Sequence, residues 1–270
     1  MTSEAVDEFV GDCSRCVGLC CVALTRTRAG GFGADIPAGT PCHHLQTDNL
    51  CQIHSQLREE GWPACTVFDC FGAGQQVTQV TFAGQADWRD GPDTAHAMFS
   101  TFAAMRHLME MLRLLTEAHT LATGELAQDV EALQCEVEAL VASPADHVAS
   151  LDVAALRGRV GPVLGAVSDA HRHPAPRSKR FQPRAHLMGA NLRKARLDRY
   201  CLRSALLIAA DLRGATFERT DMLGADLRDA NLAGANLRSA IFLTQQQVDA
   251  ARGDARTRLP VGLHAPAHWA

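Results

Sequence analysis

A large apolar residue returns at every fifth position from Leu187 to Phe242, and this period constrains the fold more than any other feature of the chain. The positions are Leu187, Leu192, Leu197, Leu202, Leu207, Leu212, Phe217, Met222, Leu227, Leu232, Leu237 and Phe242. Two residues before each sits a small one, almost always alanine, from Ala185 to Ala240, with Tyr200 and Thr220 the exceptions. Neither a 3.6-residue nor a 2.0-residue period generates this pattern. A strict short period belongs to a solenoid, in which each unit buries its apolar residue only by stacking on neighbouring coils.

Units such as Ala210-Asp211-Leu212 and Ala235-Asn236-Leu237 resemble the pentapeptide-repeat family. The resemblance implies a right-handed, four-sided β-helix with the Leu/Phe and Ala positions inside. Four units per coil would stack residues twenty apart, such as Leu192, Leu212 and Leu232, so that twelve units make three coils about 14 Å tall. Long, acidic members of the family resemble a DNA duplex; this repeat is short and basic, which argues against that role. Thr244-Gln245-Gln246-Gln247 has the pattern of a capping box, predicting a short helix over the last coil that shields its edge. The closing segment from Leu259 reads as a loose tail.

Charge is distributed unevenly. Residues 1–70 hold 4 basic and 9 acidic side chains, 71–170 hold 5 and 13, and 171–270 hold 17 and 8. The basic third is built from Arg193, Lys194, Arg196, Arg199, Arg203, Arg213, Arg219, Arg228 and Arg238, preceded by the linker His171 to Arg184. It solubilises the surface and leaves nucleic acid open as a partner through its phosphates, although no interleaved aromatics offer base stacking. No stretch approaches the roughly 18 apolar residues of a membrane span, and the first residues lack a secretory pattern, so a cytoplasmic protein with no membrane contact is expected.

Between the ends, Met98, Phe99, Phe102, Met105, Leu108, Met109, Leu112 and Leu115 have the spacing of an amphipathic helix over 94–121. After Thr123-Gly124, Leu126, Val130, Leu133, Val137 and Leu140 predict a second helix, packed antiparallel on the first. Its seam, barely two heptads long, reads as core rather than as a dimer contact. A third helix is expected within 146–170, interrupted around Gly161-Pro162.

Eight of the ten cysteines lie between residues 13 and 70: Cys13, Cys16, Cys20, Cys21, Cys42, Cys51, Cys65 and Cys70. In a reducing compartment such a cluster binds metal or does redox chemistry more often than it forms disulfides. A C-x-x-C turn lets two thiolates converge on one ion, as in zinc and iron–sulfur sites. If Cys20 and Cys21 are extended they point to opposite sides, implying two sites or one site with spare thiols. Glycine-rich and poor in apolar side chains, residues 22–50 cannot easily fold by burial alone, and metal would supply the missing free energy.

The first four cysteines, Cys42-His43-His44-Leu45, Cys51-Gln52-Ile53-His54 and Pro63 before Cys65 and Cys70 resemble the CxxCxxxCC cysteine-cluster (YkgJ-like) family, described as zinc- or iron-chelating. The resemblance covers about residues 13–70. It departs where the family commonly has Tyr at the position of His54 and Arg-Pro at Trp62-Pro63; His43, His44 and His54 are therefore additional candidate ligands.

These readings give a multidomain α+β protein: an irregular Cys-rich metal-binding domain over 1–90, a helical hairpin over 91–170, a basic linker over 171–184, a short right-handed quadrilateral β-helix with its capping helix over 185–255, and a tail over 256–270. Its expected function is to bind zinc or iron, with an iron–sulfur cluster as one form of the latter, and to present the repeat as a scaffold to a protein partner. The alternative is an iron- or iron–sulfur-dependent enzyme or redox sensor. No triad, paired catalytic carboxylates or phosphate-binding loop stands out, and Gly30-Gly31-Phe32-Gly33 reads as a turn.

Overall fold

The computed structural model describes residues 9–269; the opening residues, on which the expectation of no secretory leader largely rests, and Ala270 lie outside them. The chain divides into two compact units, one taking residues up to Thr120 with Ala127–Val163, the other taking Leu121–Leu126 with Leu164 onward.

The first unit begins with short 3-10 turns and loops through residue 70. Its core is the helix α1, Pro92–Leu121, which buries residues on more than one face, from Met98 and Phe102 to Leu115 and Ala118. A second helix, α2, spans Glu125–Val141 and buries only Val130, Leu133 and Val137, a single stripe at alternating three- and four-residue steps. That stripe is used within this chain, so the seam is ordinary core. Glu136 on α2 forms an ion pair with Arg159, and Glu110 on α1 one with Arg157.

Arg157 and Arg159 belong to α3, which runs unbroken from Val153 to Arg172. The expected interruption at Gly161-Pro162 is absent. Proline lacks one backbone donor and crowds the preceding turn, but Leu156, Val160, Leu164 and Val167 form a buried stripe on both sides of it. This packing holds the helix through the weak point.

In the second unit, four pentapeptides return the chain to stack on itself. Asn191 pairs with Asp211 and Asp211 with Asn231, each twenty residues on and parallel, and the series runs from His186 to Ile241. Leu192 N–H donates to the Asp211 carbonyl at 2.8 Å, and Asp211 N–H donates to the Ala190 carbonyl at 2.9 Å. Leu197, Leu202, Leu207, Leu212, Phe217 and Met222 are fully buried inside, with Ala205, Ala210 and Ala215.

The quadrilateral β-helix, and with it the α+β class, is overturned. Among the described residues there is no β-strand and hence no sheet; outside the bridged turns the chain is helical or irregular. The five-residue period itself is the reason. Each unit closes a turn, as where Ala190 N–H donates to the Leu187 carbonyl at 3.1 Å, and its last residue takes a positive φ, from Arg184 (60°) through Lys194 (54°) and Gly214 (68°) to Gly234 (66°). One bridged residue per side remains, and a strand requires a run of them.

The predicted capping helix forms at Gln245–Asp249, with reciprocal bonds between Thr244 and Gln247. The Gln247 amide also donates to the Met222 and Ala225 carbonyls at 2.8 Å each, satisfying acceptors at the end of the coil. The stacking then continues, as Arg252 bridges Asn231 and Arg258 bridges Asn236. The closing segment is not a loose tail: Trp269 is 5% exposed, and its indole N–H donates to the Ala251 carbonyl at 2.9 Å. The buried indole supplies the apolar contact that a search for period alone cannot see.

Candidate metal centre

Two neighbouring pieces of backbone gather the eight thiols. In the first, Asp12 caps the turn Cys13–Arg15 by accepting from Ser14 N–H at 3.0 Å, and Cys16 follows in extended backbone. The short helix Ala73–Gln75 and the π turn Gln76–Thr81 grip this segment. Gln75 accepts from Asp12 N–H at 2.8 Å and donates to the Val10 carbonyl at 2.9 Å, while Gln79 donates to the Arg15 carbonyl at 3.0 Å.

Cys70 arrives at the same place because its carbonyl accepts the Ala73 N–H at 2.9 Å. Next to it Gly74 lies so close to Cys16 that a Cβ there would stand 2.7 Å from the sulfur, and one at Gly11 would stand 3.1 Å from the Cys70 sulfur. Only glycine leaves room for the Cys16 thiol at that distance.

In the second piece, Gly18 at φ 71° leads into the turn Leu19–Cys21, whose Leu19 is fully buried. The sulfurs of Cys20 and Cys21 are 3.8 Å apart. The Cys21 carbonyl accepts Cys42 N–H at 2.9 Å, and the chain then reverses at Asn49 (φ 69°) so that Leu45 pairs antiparallel with Cys51. Cys65 sits in the helical turn Pro63–Thr66 behind the buried Trp62. Cys21, Cys42, Cys51 and Cys65 all pack in one small core with Ile36, Leu57 and Trp62.

One group that sequence reasoning missed is Arg26. It is buried and donates to the Cys20 carbonyl at 3.2 Å and to the Thr40 carbonyl at 2.7 Å, while its Nε is buried without a hydrogen-bond partner. It has no spacing signature; only the antiparallel pairing of Arg26 with Ile36 turns it toward the cysteines. Its guanidinium lies within electrostatic reach of Cys21 and Cys65 and favours their anionic forms.

Desolvation dominates the thiol electrostatics. It pushes Cys65 up to about 12, with Cys21, Cys42 and Cys51 adding like-charge repulsion, and it also raises Cys16, Cys51 and Cys70. The contact between the Cys20 and Cys21 sulfurs raises Cys20 and lowers Cys21. Most of these groups are therefore held as neutral thiols until a cation compensates them.

All eight cysteines are free thiols, as are Cys135, exposed on α2, and Cys201, half-buried in the coil. His43 and His44 lie 4.0 Å apart, with their rings 5.4 and 5.3 Å from Trp62, so both lie against the small core's indole. His54 is exposed at the start of a 3-10 turn. Among the described residues, no group of three or more His, Cys, Asp or Glu side chains stands in an arrangement that could hold a metal ion. The donor chemistry fits a soft cation, whereas the side chains as placed do not close a site.

Several of the coil's arginines hold carboxylates. Arg213 and Arg228 pair with the aspartates two residues before them at 2.6 Å, and Arg203 pairs with Asp221 at 2.5 Å. No helix of the described residues is long and apolar enough to cross a membrane.

Bridges at a twenty-residue interval, with a left-handed residue closing each unit through Gly234, are the geometry of pentapeptide repeats, and the family model for pentapeptide repeats matches residues 205–242. That match does not extend to the cysteine cluster. Over 267 residues the chain is 43% identical to "Uncharacterized protein YybG" of Bacillus subtilis (strain 168), covering 97% of this chain and 95% of that protein, and it belongs to the YybG family.

Proposed function

We propose that this chain is a thiolate metal-binding protein, taking zinc or iron in its cysteine cluster, and that the pentapeptide coil is a scaffold for a protein partner. What carries the reading is a set of eight free thiols, several of them desolvated, and a buried guanidinium within electrostatic reach of Cys21 and Cys65, in a segment whose own apolar core is small. Four residues, Ile36, Cys42, Leu57 and Trp62, are buried there. So little burial leaves room for metal to supply folding free energy. Ligation requires the cysteines to rotate about their Cα–Cβ bonds, which staggered rotamers allow, and releases their protons to solvent.

The scaffold reading draws on one side of the coil. Arg196, Asp198, Thr216, Glu218, Asn236 and Ser239 line an open hollow of about 520 Å³, on side chains that successive coils hold in register. Both charge signs, one neutral amide and two hydroxyls are present, which suits a polar protein surface better than a polyphosphate. Nucleic acid is the weaker reading because several arginines already hold carboxylates.

Anaerobic purification, metal analysis and an absorption spectrum test the metal reading. Stoichiometric zinc in a colourless protein identifies a zinc site. Iron with acid-labile sulfide in a brown protein identifies an iron–sulfur site and revives the redox alternative. A reduced protein that takes up neither metal refutes the proposal.

A further inference from the structure

We propose that the first turn of the coil, residues 184–203, is a docking edge for an extended, acidic segment of a partner protein, which adds its backbone to the stack. This rests on the scaffold reading above and supplies a surface and the chemistry of the partner.

The stack has a direction. Each bridged residue turns its own N–H and C=O toward the preceding coil: Asp211 N–H donates to the Ala190 carbonyl, and the Asp211 carbonyl accepts from Leu192 N–H. The first coil has no coil before it. Among the described residues the backbone N–H and C=O of Asn191 and of Arg196 therefore have no hydrogen-bond partner, and both residues are exposed. Phe181 packs against Tyr200 at this end, with ring centroids 5.1 Å apart, and Arg172 donates to the Arg199 carbonyl at 3.1 Å, but neither reaches those backbone groups. The opposite end is finished differently. There Gln247 satisfies the Met222 and Ala225 carbonyls, and Arg252 and Arg258 continue the bridges.

Charge is concentrated on the same open coil. Residues 184–203 hold 6 basic side chains and 1 acidic one, 204–223 hold 2 and 3, and 224–243 hold 2 and 2. Arg184, Lys194 and Arg199 each close a unit at positive φ and form no ion pair among the described residues. The residues stacked on Lys194 are Gly214 and Gly234, which take that conformation most readily. At the edge, a lysine instead carries charge at a conformational cost.

The edge offers donors and acceptors together, and this selects the partner. A polyphosphate meets the cations but has no donor for the two carbonyls. A polypeptide running parallel to the coil gives one carbonyl and one N–H to each bridged residue, as successive coils do to one another. Carboxylate side chains on that segment meet Lys194 and Arg199. A second copy of the same basic edge is repelled by like charge.

Fluorescence anisotropy with the full chain tests this, using a labelled synthetic peptide of alternating glutamate and threonine as the probe. Wild type should bind it. The same peptide N-methylated throughout keeps its charge but loses its N–H donors, needs no protein variant, and should bind about tenfold more weakly. Lys194→Gly/Arg199→Gly suits the positive φ of both positions, should keep the wild-type melting midpoint, and should also weaken binding about tenfold.

A methylated peptide that binds as tightly as its parent, or oligothymidylate that binds more tightly than the peptide, overturns the edge in favour of charge alone. Binding that survives Lys194→Gly/Arg199→Gly but is lost in Ser239→Trp, which fills the hollow, overturns the edge and leaves the scaffold reading standing. A wild-type chain that binds neither this peptide nor its lysine and glutamine counterparts overturns both.

Discussion

Replacing Arg203 by Met should destabilise the coil far more than neutralising its partner Asp221. Asp221 stands at the bridged position of its unit, and its side chain is 0% exposed. Its carboxylate accepts from Arg203 Nε at 2.5 Å and from Leu223 N–H at 2.9 Å. Arg203→Met keeps most of the apolar stem and removes the charge, leaving a buried carboxylate with only neutral donors, Leu223 N–H and the Cys201 thiol at 3.9 Å. Breaking a buried pair in this way costs about 3–5 kcal/mol. Asp221→Asn retains an oxygen for Leu223 N–H and leaves a guanidinium whose side chain is 20% exposed and can reach water, so a cost of about 1–2 kcal/mol is expected.

Hydrogen exchange read by mass spectrometry on peptides spanning residues 197–227 measures this in the intact chain, without assuming that the whole molecule unfolds in one step. At 1.4 kcal/mol per tenfold, protection should fall by roughly 10²- to 3 × 10³-fold in Arg203→Met. In Asp221→Asn it should fall by roughly 5- to 30-fold. The double variant should exchange more slowly than Arg203→Met, because it no longer buries an unpaired charge. If Arg203→Met exchanges as slowly as Asp221→Asn, or the double variant faster than either, the carboxylate does not depend on this guanidinium and the argument fails.

Gly234→Ala places a methyl in open space at φ 66°, so its cost is conformational, about 1–2 kcal/mol, and a thermal melt should show a lowered midpoint. Gly253→Ala would drive its Cβ into the Trp269 indole; a cost of about 1–3 kcal/mol and a red-shifted tryptophan emission are expected, and unchanged emission would count against the packed C-terminus. His107 is held below its usual 6.5 by burial, then by Arg106 and Arg157, with Glu110 opposing. As pH falls through 6.5 the unfolded chain takes this proton before the folded one. Its contribution is thus present above 6.5 and lost on acidification; a urea midpoint that declines between pH 7 and 5 in wild type should decline less in His107→Gln.

The five-residue period could be read without a structure because every unit repeats the same burial problem, and twelve repetitions leave no ambiguity of register. For the same reason the capping box at Thr244 was legible, since its partners are three residues apart. Helices over the 94–121 and 126–140 patterns were likewise written in local spacing. Where the outcome depended on contacts made elsewhere, the sequence was a poorer guide. The absence of strands depends on how many residues remain between successive turns, and the unbroken α3 depends on the buried stripe flanking Pro162. Trp269 is fixed by its fit beside Gly253, sixteen residues away.

For the cluster, sequence alone determined the inventory: eight thiols of the right chemistry, two of them adjacent. It did not determine which thiols are neighbours, because that follows from hydrogen bonds such as Cys42 to Cys21 and from the approach of Gly74 to Cys16, which join residues twenty-one and fifty-eight positions apart. Nor did it reveal Arg26, whose role comes from burial beside the thiols and from no motif. Periodic burial is encoded locally and is therefore readable; the convergence of distant side chains on one place is decided only when the chain closes on itself.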